Sequence, residues 1–502
     1  MTRRVVIART SDVTVLNPLL YADLATGEVL NRVFDHLVLT DEHQRYVPGR
    51  LVTHWTASPD GLVWDFFLRP AARWHDGHPV TADDAVFTFE SILDPASGSA
   101  RRAEFLVGGE PLRFEAPEPH VLRVRLPEPF APLLAALAWR PVVARHVFAG
   151  RPLAGHPAND SPVGSAAFRF AGRTADRVVL AAQRDYHLGR PPMDEVEWRR
   201  VPDIESALRA LAFGEADYVP GVPPELVDGV RDLPEVRLVR STDASFSYLG
   251  FHLESWQFGD VRVRQAIGHA IDRDGLVREV LGGEGRVADG PIAPGSPWYH
   301  PDLPSYRHDR VRASALLDAA GWRVGDDGVR RDADGRGFAF TLRTVAGDRV
   351  KERAAGRIAD DLRRLGIAVR VSTHPMAELL REYVRPRRFE AVLLALVPNP
   401  DPAFLHALYH SEMLTPKGWN RFAYRDREAD DLLGASQSEI DPGARRKLIH
   451  TALERIVRDA PQIFLFHPVV IDAARTDLLL PALPEQSANR FMYLHDWDRK
   501  VR

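Results

Sequence analysis

The sequence contains no cysteine. This absence excludes disulfide bonds, thiolate metal ligands and a cysteine nucleophile, and it excludes a lipid-modified cysteine within the chain as given. Lysine is nearly absent as well, since Lys351, Lys417, Lys447 and Lys500 are the only four, and arginine supplies almost all of the positive charge. A compositional bias of the genome is a sufficient explanation for this preference.

Long apolar runs are also missing. The chain begins with Arg3 and Arg4 and shows no continuous hydrophobic stretch near its start, so we expect no signal peptide in the chain as given. No other segment is apolar for long enough to span a membrane. The net charge is −4, with acidic and basic residues interspersed, which argues against a nucleic-acid surface or a polybasic membrane patch.

The composition is that of a large globular protein. The chain has 502 residues, of which 45% are hydrophobic and 27% charged, enough for two or three hydrophobic cores. Neither a nucleophile elbow, a phosphate-binding loop nor a zinc-protease helix is found. The glycine-rich run at 282–285 lacks the Lys and the Ser or Thr of a phosphate loop and is interpreted as the end of a helix. We therefore expect neither an enzyme nor a bound cofactor.

The stretch at 248–272 lies near the middle of the chain and has the clearest local pattern. Residues 248–251 are short, apolar and aromatic, which predicts a strand, and Asp260 can cap the helix that follows. The apolar residues of that helix recur at helical spacing: Val263, Ala266, Ile267, Ala270 and Ile271.

Other capping signals and a regular alternation of elements extend this pattern. Thr81 and Asp84 form a capping pair, and Asp441 followed by Pro442 is typical of a helix start. The helices and strands that the sequence predicts between 309 and 371 alternate along the chain, and so do the predicted elements before and after this range. This alternation predicts an α/β protein with a mostly parallel sheet.

Several stretches together resemble one known family. Residues 248–272 are similar to its "LGFN" strand and "VRQAI..AID" helix, 73–86 to "FHDG.P.TA", 161–168 to "PVGTGPY", and 215–218 to "L..GE.D". The family is that of the solute-binding proteins of ABC importers, in the peptide/nickel/opine class called family 5. His252 stands where the family usually has Asn, and Gln257 where it usually has Pro, both close to where the family's ligand sits.

The resemblance implies a two-lobed α/β clamshell of the periplasmic-binding-protein type II, with an additional small domain. Lobe I would be discontinuous, formed by 1–38, 161–247 and 468–502; the small domain would cover 39–160, and lobe II 248–467. The ligand would bind between the lobes, which would close on it by a hinge motion.

The resemblance also implies a set of ligand-binding residues. By their positions in the matching motifs these are Asn17, Tyr21, His252, Trp256, Trp298, Asn399, Asp401, Trp419 and Asn420. We predict no metal site. His406 and His410 would share a helix face, and nickel-binding relatives use a histidine in this region, but a packing or surface role is favoured.

The resemblance implies an extracytoplasmic, periplasmic receptor that captures a peptide or peptide-like solute and delivers it to a membrane permease. Relatives that hold a free peptide amine place an acid directly before the "DP" pair, whereas Pro400 precedes Asp401 here, which weakens a peptide assignment. One alternative is a nickel or metal-chelate carrier. The other is a cytoplasmic ligand sensor, although no residues remain for its helix-turn-helix. We expect a monomer without a nucleic-acid partner.

Overall fold

The structure is a computed structural model that describes residues 3–21, 23–99, 101–242, 244–415, 418–481 and 490–500. The chain divides into two compact units. Unit 1 comprises 1–241 and 470–502, and unit 2 comprises 242–469. The sequence predicts that the chain passes from one lobe to the other at 247/248 and again at 467/468. The predicted separation of a small domain at 39–160 stays a prediction.

Unit 1 contains most of the short strands. Its strands are β1 (Arg4–Arg9), β2 (Val38–Thr40), β3 (Tyr46–Pro48), β4 (Val52–Ala57), β5 (Val63–Leu68), β6 (Leu106–Val107), β7 (Glu110–Pro111), β8 (Arg113–Glu118), β9 (Val121–Arg125), β10 (Phe168–Arg173), β11 (Arg177–Ala182), β12 (Glu195–Arg200), β13 (Tyr218–Val219) and β14 (Val236–Thr242). Its helices are α1 (Leu24–Val33), α2 (Ala82–Leu93), α3 (Leu133–Leu137), α4 (Arg145–Phe148), α5 (Ile204–Ala212) and α6 (Val227–Arg231).

Unit 2 alternates longer helices with its strands. Its strands are β15 (Phe246–Phe251), β16 (Gly285–Val287), β17 (Arg323–Val324), β18 (Arg330–Arg331), β19 (Ala339–Val345), β20 (Ala368–His374), β21 (Ala391–Leu396) and β22 (Gln462–Arg475). Its helices are α7 (Val261–Ala270), α8 (Arg273–Val280), α9 (Arg310–Ala319), α10 (Arg349–Arg363), α11 (Met376–Glu378), α12 (Phe404–Tyr409), α13 (Arg427–Ser438) and α14 (Pro442–Asp459). Two short strands, β23 (Leu478–Leu479) and β24 (Asp498–Arg499), pair near the end of the chain.

Two sheets organise unit 1. The larger one has the order β10-β11-β12-β1-β13, followed by the end of β22, and the smaller one has the order β4-β5-β9-β8. Helix α2 packs on β8 and β9 through its apolar face. One continuous hydrophobic core joins the side chains beneath both sheets, including Val5, Phe66, Phe89 and Trp198.

The main sheet of unit 2 has the order β22-β15-β21-β19-β20, while β17 and β18 pair separately, and the unit has two hydrophobic cores. The first core packs β15, α7 and α10 together through residues such as Phe246, Ile267 and Leu362. The second contains Tyr409, Phe422 and side chains of α14, with Trp298 partly buried against it. Of the predicted ligand-binding residues, Trp298 lies against this second core, whereas Trp256 lies beside Trp322 of the first core.

The expectation of a mostly parallel sheet is wrong. Strand β1 is parallel to β12 and β13, and β19 is parallel to β20 and β21, but β11 is antiparallel to β10 and β12, and β15 is antiparallel to β21 and β22. Only three residues connect β10 to β11, which is too short for the crossover that a parallel pair requires. The strand predicted at 463–467 is also longer, since β22 extends to Arg475.

The predicted caps are confirmed. Thr81 and Asp84 form a capping box at the start of α2, the Asp260 carboxylate accepts a hydrogen bond from the Arg262 amide, and Asp441 accepts one from the Ala444 amide. Each carboxylate satisfies amide groups that the first turn of a helix leaves unpaired. Among the described residues, no helix combines the length and the apolar character needed to cross a bilayer.

Candidate ligand-binding site

Trp298 and Asp401, both predicted to contact ligand, are linked through Arg445 on α14. The Arg445 guanidinium donates two hydrogen bonds of 2.7 Å to the two carboxylate oxygens of Asp401, and both side chains are buried. The same guanidinium lies 5.1 Å from the centre of the Trp298 ring. Because Asp401 is fully engaged by this bidentate pair, its carboxylate holds Arg445 beneath the indole.

The loop that carries Trp298 is tied to α14 by two further contacts. His300 Nε2 lies 3.0 Å from a Glu454 carboxylate oxygen, and a ring nitrogen of His450 lies 3.3 Å from the Trp298 carbonyl. The rings of His300 and His450 stack at 4.3 Å. The position of Trp298 is therefore fixed by its backbone as well as by its ring.

Asn420 holds the loop that presents Trp419. Its side-chain amide donates to the carbonyls of Tyr409, His410 and Tyr424, at 3.2, 3.2 and 2.8 Å, and its oxygen accepts from the Tyr424 amide. Asn420 is fully buried, whereas Trp419 is 56% exposed. Asn420 thus stabilises the backbone of the loop, and the neighbouring Trp419 indole is partly exposed to solvent.

A glycine next to Trp419 makes this loop path possible. A Cβ atom on Gly418 would lie 1.9 Å from the Met413 carbonyl oxygen, far inside van der Waals contact. The Gly418 amide donates to the Thr415 carbonyl at 3.0 Å. Any side chain at position 418 would therefore displace the backbone that presents the tryptophan.

The loop after β15 lies beside the Asn420 loop. The Leu253 amide donates to the Phe422 carbonyl at 2.9 Å, and the Phe422 ring packs over Gly250, where a Cβ atom would lie 2.3 Å from it. His252 is half-buried on this loop, and burial lowers its pKa. Its Nε2 has no hydrogen-bond partner among the described residues and lies 3.6 Å from Glu254.

Trp256 is the other exposed indole of this region, at 49% exposure. The Arg336 guanidinium lies 4.7 Å from its ring centre, and the Trp322 ring lies 5.6 Å away. The neighbouring Gln257 is buried and donates to the Ala339 carbonyl and the Glu390 carboxylate. Gln257 therefore holds strand ends together, although its departure from the family pattern had suggested a place near the ligand.

Asn17 and Tyr21 lie in unit 1. Asn17 is fully buried; its amide donates to the Asn159 side chain at 2.9 Å and its oxygen accepts from the Leu19 amide. Tyr21 is half-buried, with the Arg101 guanidinium 5.2 Å from its ring centre. Asn17 thus fixes a turn, and Tyr21 keeps part of its ring accessible.

His406 lies on α12 and His410 directly follows the last residue of that helix, and their side chains lie together, as their spacing predicts. Their rings stack at 4.3 Å, and His406 Nε2 lies 3.2 Å from a Glu412 carboxylate oxygen. Burial, together with the neighbouring His410 ring, lowers the pKa of His406 to about 4. His406 is therefore neutral at physiological pH, which is the form that binds a metal.

Nine residues are predicted to bind ligand, and the structure gives them three kinds of environment, of which the half-buried one holds Tyr21, His252 and Trp298. Asn17, Asp401 and Asn420 are buried with their polar atoms used in internal hydrogen bonds, whereas Trp256, Asn399 and Trp419 are exposed. The residues that sequence reasoning missed are Arg445 and Phe422. No local pattern marks them, because their partners are distant in the chain.

A comparison with models of known protein families identifies the family of this chain. The family model described as bacterial extracellular solute-binding proteins, family 5 (middle), matches residues 46–413. The chain belongs to this family. The resemblance found in the sequence motifs is therefore confirmed.

Individual relatives of this family 5 protein match it over nearly their whole length. Oligopeptide-binding protein AppA of Bacillus subtilis is 28% identical over 476 residues, covering 92% of this chain and 86% of that protein. The structure of AppA in complex with a nonapeptide superimposes with a TM-score of 0.80 and 26% identity over 100% of both chains. NikZ of Campylobacter jejuni in complex with Ni(L-His) gives a TM-score of 0.82 at 22% identity, over 99% of both chains.

These matches confirm the predicted fold class, α/β of the periplasmic-binding-protein type II. The likeness to NikZ concerns the fold alone. Family 5 proteins are binding proteins, and the relatives' names describe binding of peptides or metal complexes rather than catalysis.

Proposed function

We propose that this family 5 protein is an extracytoplasmic receptor of an ABC importer, and that its solute is a peptide. The observation that carries the proposal is the full-length match to oligopeptide-binding protein AppA, whose structure holds a nonapeptide. The receptor would release its peptide unchanged to a membrane permease, act as a monomer and catalyse no reaction on its cargo.

The exposed indoles of unit 2 support a peptide ligand. Trp419 and Trp256 offer flat apolar surfaces on loops whose backbones are held by internal hydrogen bonds. Rigid aromatic side chains bury large areas at a small entropic cost, which suits peptide side chains of varied sequence. Of the nine predicted residues, we propose that Trp256, Trp298, Asn399 and Trp419 contact the peptide, and that Asp401 and Asn420 position them.

The Asp401–Arg445 pair bears on how the peptide is held. A free Asp401 carboxylate would attract the ammonium group at a peptide N-terminus, but both of its oxygens already accept hydrogen bonds from Arg445. We infer that Asp401 does not anchor the peptide amine. N-acetylated and free forms of one nonapeptide should therefore bind with dissociation constants that differ less than about threefold, roughly 0.6 kcal/mol.

Substitution of Trp419 tests the proposed contact surface. In Trp419→Ala, peptide affinity measured by titration calorimetry should fall about tenfold or more, because an aromatic side chain that becomes buried contributes roughly 1.5–3 kcal/mol. The melting temperature without peptide should stay close to that of the parent, since the indole is 56% exposed. Phe213→Ala, which removes an aromatic side chain that is 80% exposed in unit 1, is the matched control.

Two outcomes of this experiment would count against the proposal. If Trp419→Ala bound peptide as tightly as the parent, the indole would not contact the ligand. If it lost affinity and melted far lower, Trp419 would be needed for the fold. Equal losses in Phe213→Ala would show that the effect is not specific to the site.

A metal chelate is the second candidate solute, favoured by the His406–His410 pair. The two rings and Glu412 each offer a ligand atom, and these atoms lie within 4.8 Å of one another. A nickel complex that bound here would be lost in His410→Ala, whereas peptide binding would be retained. Calorimetric titration with nickel, with and without free histidine, distinguishes the two solutes.

A further inference from the structure

A second histidine cluster lies in unit 1, on the turn after β5 and at the start of α4. Asp76 Oδ1 is 3.1 Å from His78 Nδ1, and Asp76 Oδ2 is 2.7 Å from His146 Nε2. The rings of His78 and His146 are 4.3 Å apart and tilted by 37°. One oxygen or nitrogen from each residue lies within 4.8 Å of the others.

These distances suit a bound transition metal. Zinc lies about 2.0–2.2 Å from imidazole nitrogens and carboxylate oxygens, so that its ligands are separated by roughly 3–3.7 Å in tetrahedral geometry. The three candidate ligand atoms, which lie within 4.8 Å of one another, would reach that spacing by rotation of their exposed side chains. Two imidazoles and a carboxylate favour zinc, nickel or copper over magnesium or calcium, and three protein ligands leave a position for water.

The backbone that carries Asp76 and His78 is held in place by His75. A ring nitrogen of His75 lies 2.8 Å from the Ala166 carbonyl, and its Nδ1 accepts a hydrogen bond from the Gly164 amide at 3.2 Å. The turn itself is closed by the Trp74 amide donating to the His78 carbonyl at 2.8 Å. The two ligands on this turn are therefore presented by fixed backbone.

His146 is held to the same platform by Asp84. The buried Asp84 carboxylate accepts from the Arg145 amide at 2.8 Å through one oxygen and from the Trp74 indole at 3.2 Å through the other. Asp84 thus ties the residue before His146 to the residue at the base of the turn. Two segments about 70 residues apart in sequence are brought together by buried hydrogen bonds, while the three candidate ligands face solvent.

We propose that Asp76, His78 and His146 form a binding site for a divalent transition metal of the zinc type. The metal would replace the close contacts that now join Asp76 to the two imidazoles, and each histidine would bind through the nitrogen that faces Asp76. The ion would cross-link the turn to α4 and stabilise unit 1 by an amount that rises logarithmically with the ratio of free metal to its dissociation constant. This site does not depend on the proposed peptide-binding function.

The test uses the full chain without an affinity tag, in a His406→Ala/His410→Ala background that removes the other histidine cluster. Calorimetric titration with zinc chloride should show one equivalent bound. Adding His78→Ala or His146→Ala should weaken binding more than about tenfold, because one of three ligands is lost. His43→Ala, which removes an exposed histidine 4.0 Å from Glu42, should leave zinc affinity unchanged.

Cobalt gives an independent readout of geometry. A Co²⁺-loaded background protein should show visible absorption bands typical of tetrahedral coordination, and these should vanish in His146→Ala. Melting in EDTA checks that each variant folds as the background does. Zinc binding that is undiminished in both His78→Ala and His146→Ala, or no zinc binding by the folded background protein, would overturn the proposal.

Discussion

At the scale of residues, the predicted site contains two groups of side chains. Buried ones hold neighbouring residues in place, and the others are exposed. Asp401 and Asn420 were predicted from motif positions that, in the family, line the pocket. Here they are buried, and their polar atoms are used within the protein. Each has an indole nearby, and the role proposed for these two motif positions is to hold Trp298 and Trp419 in place.

The buried ion pair gives the first stability prediction. Asp401→Asn should lower the free energy of unfolding by about 3 kcal/mol, because it leaves the Arg445 charge buried without its partner. Urea denaturation monitored by fluorescence measures this change. Glu254→Gln is the control, since it breaks an exposed pair with Arg425 that contributes less than about 1 kcal/mol.

Measurements of peptide affinity distinguish a supporting role of Asp401 from direct contact with the peptide amine. A supporting role predicts that the Asp401→Asn protein, while folded, binds free and N-acetylated peptides with the same relative preference as the parent. A specific loss of affinity for the free peptide alone would instead show that the carboxylate contacts the peptide amine, and the supporting role would be rejected.

The sequence could predict these positions but not their contacts. Asn420 and Asp401 are found by motif because the motif is contiguous in sequence. Arg445 is 44 residues from Asp401, and nothing near it in sequence marks it as the partner. Pairing across such a distance depends on how α14 packs, which local propensity does not encode.

At the scale of elements, local capping chemistry was predictable and strand direction was not. The helix caps lie where the sequence predicts them, at Thr81 with Asp84, at Asp260 and at Asp441. A cap is predictable because it involves residues only a few positions apart. The direction of β15 relative to β21 and β22 depends on partners at least 140 residues away. Alternation of helix and strand therefore predicted the fold class but not the mixed sheet.

The cap at the start of α2 leads to a prediction about stability. Asp84→Ala should destabilise unit 1 by about 2–4 kcal/mol, because it removes the cap and leaves the Trp74 indole and the Arg145 amide without their acceptor. Thermal unfolding followed by circular dichroism measures the change.

Asp83→Ala is the matched control for this cap. Asp83 lies one residue earlier on the same first turn but is exposed, and its loss should cost less than about 0.5 kcal/mol. Equal effects of the two substitutions would contradict the role assigned to Asp84.

At the scale of the whole molecule, each unit contains a histidine that burial keeps neutral. Burial lowers the pKa of His75 in unit 1 to about 4, and the same cause lowers the pKa of His406 in unit 2 to about 4. The unfolded chain binds a proton at each position near pH 6.5, whereas the folded chain does so only near pH 4. Stability from these groups is complete above pH 6.5 and is lost as the pH falls from 6.5 to 4.

Replacing His75 tests this dependence. In His75→Gln, the fall in unfolding free energy of unit 1 between pH 6.5 and 4 should shrink by up to about 3 kcal/mol, because the amide does not titrate. Glutamine retains a donor and an acceptor for the Ala166 and Gly164 contacts. Urea denaturation at a series of pH values measures the slope, and an unchanged slope would show that the pKa of His75 is the same in the folded and the unfolded chain.

A thermal-shift screen of the purified protein tests whether this family 5 protein binds peptides. The panel holds di- to nonapeptides, opines, oligosaccharides, and nickel with and without histidine. A peptide at about 100-fold over its dissociation constant should stabilise the protein by roughly 2.7 kcal/mol, a shift that is easily measured. We predict that peptides raise the melting temperature; a shift with nickel–histidine or an oligosaccharide and none with any peptide would show that the solute is not a peptide.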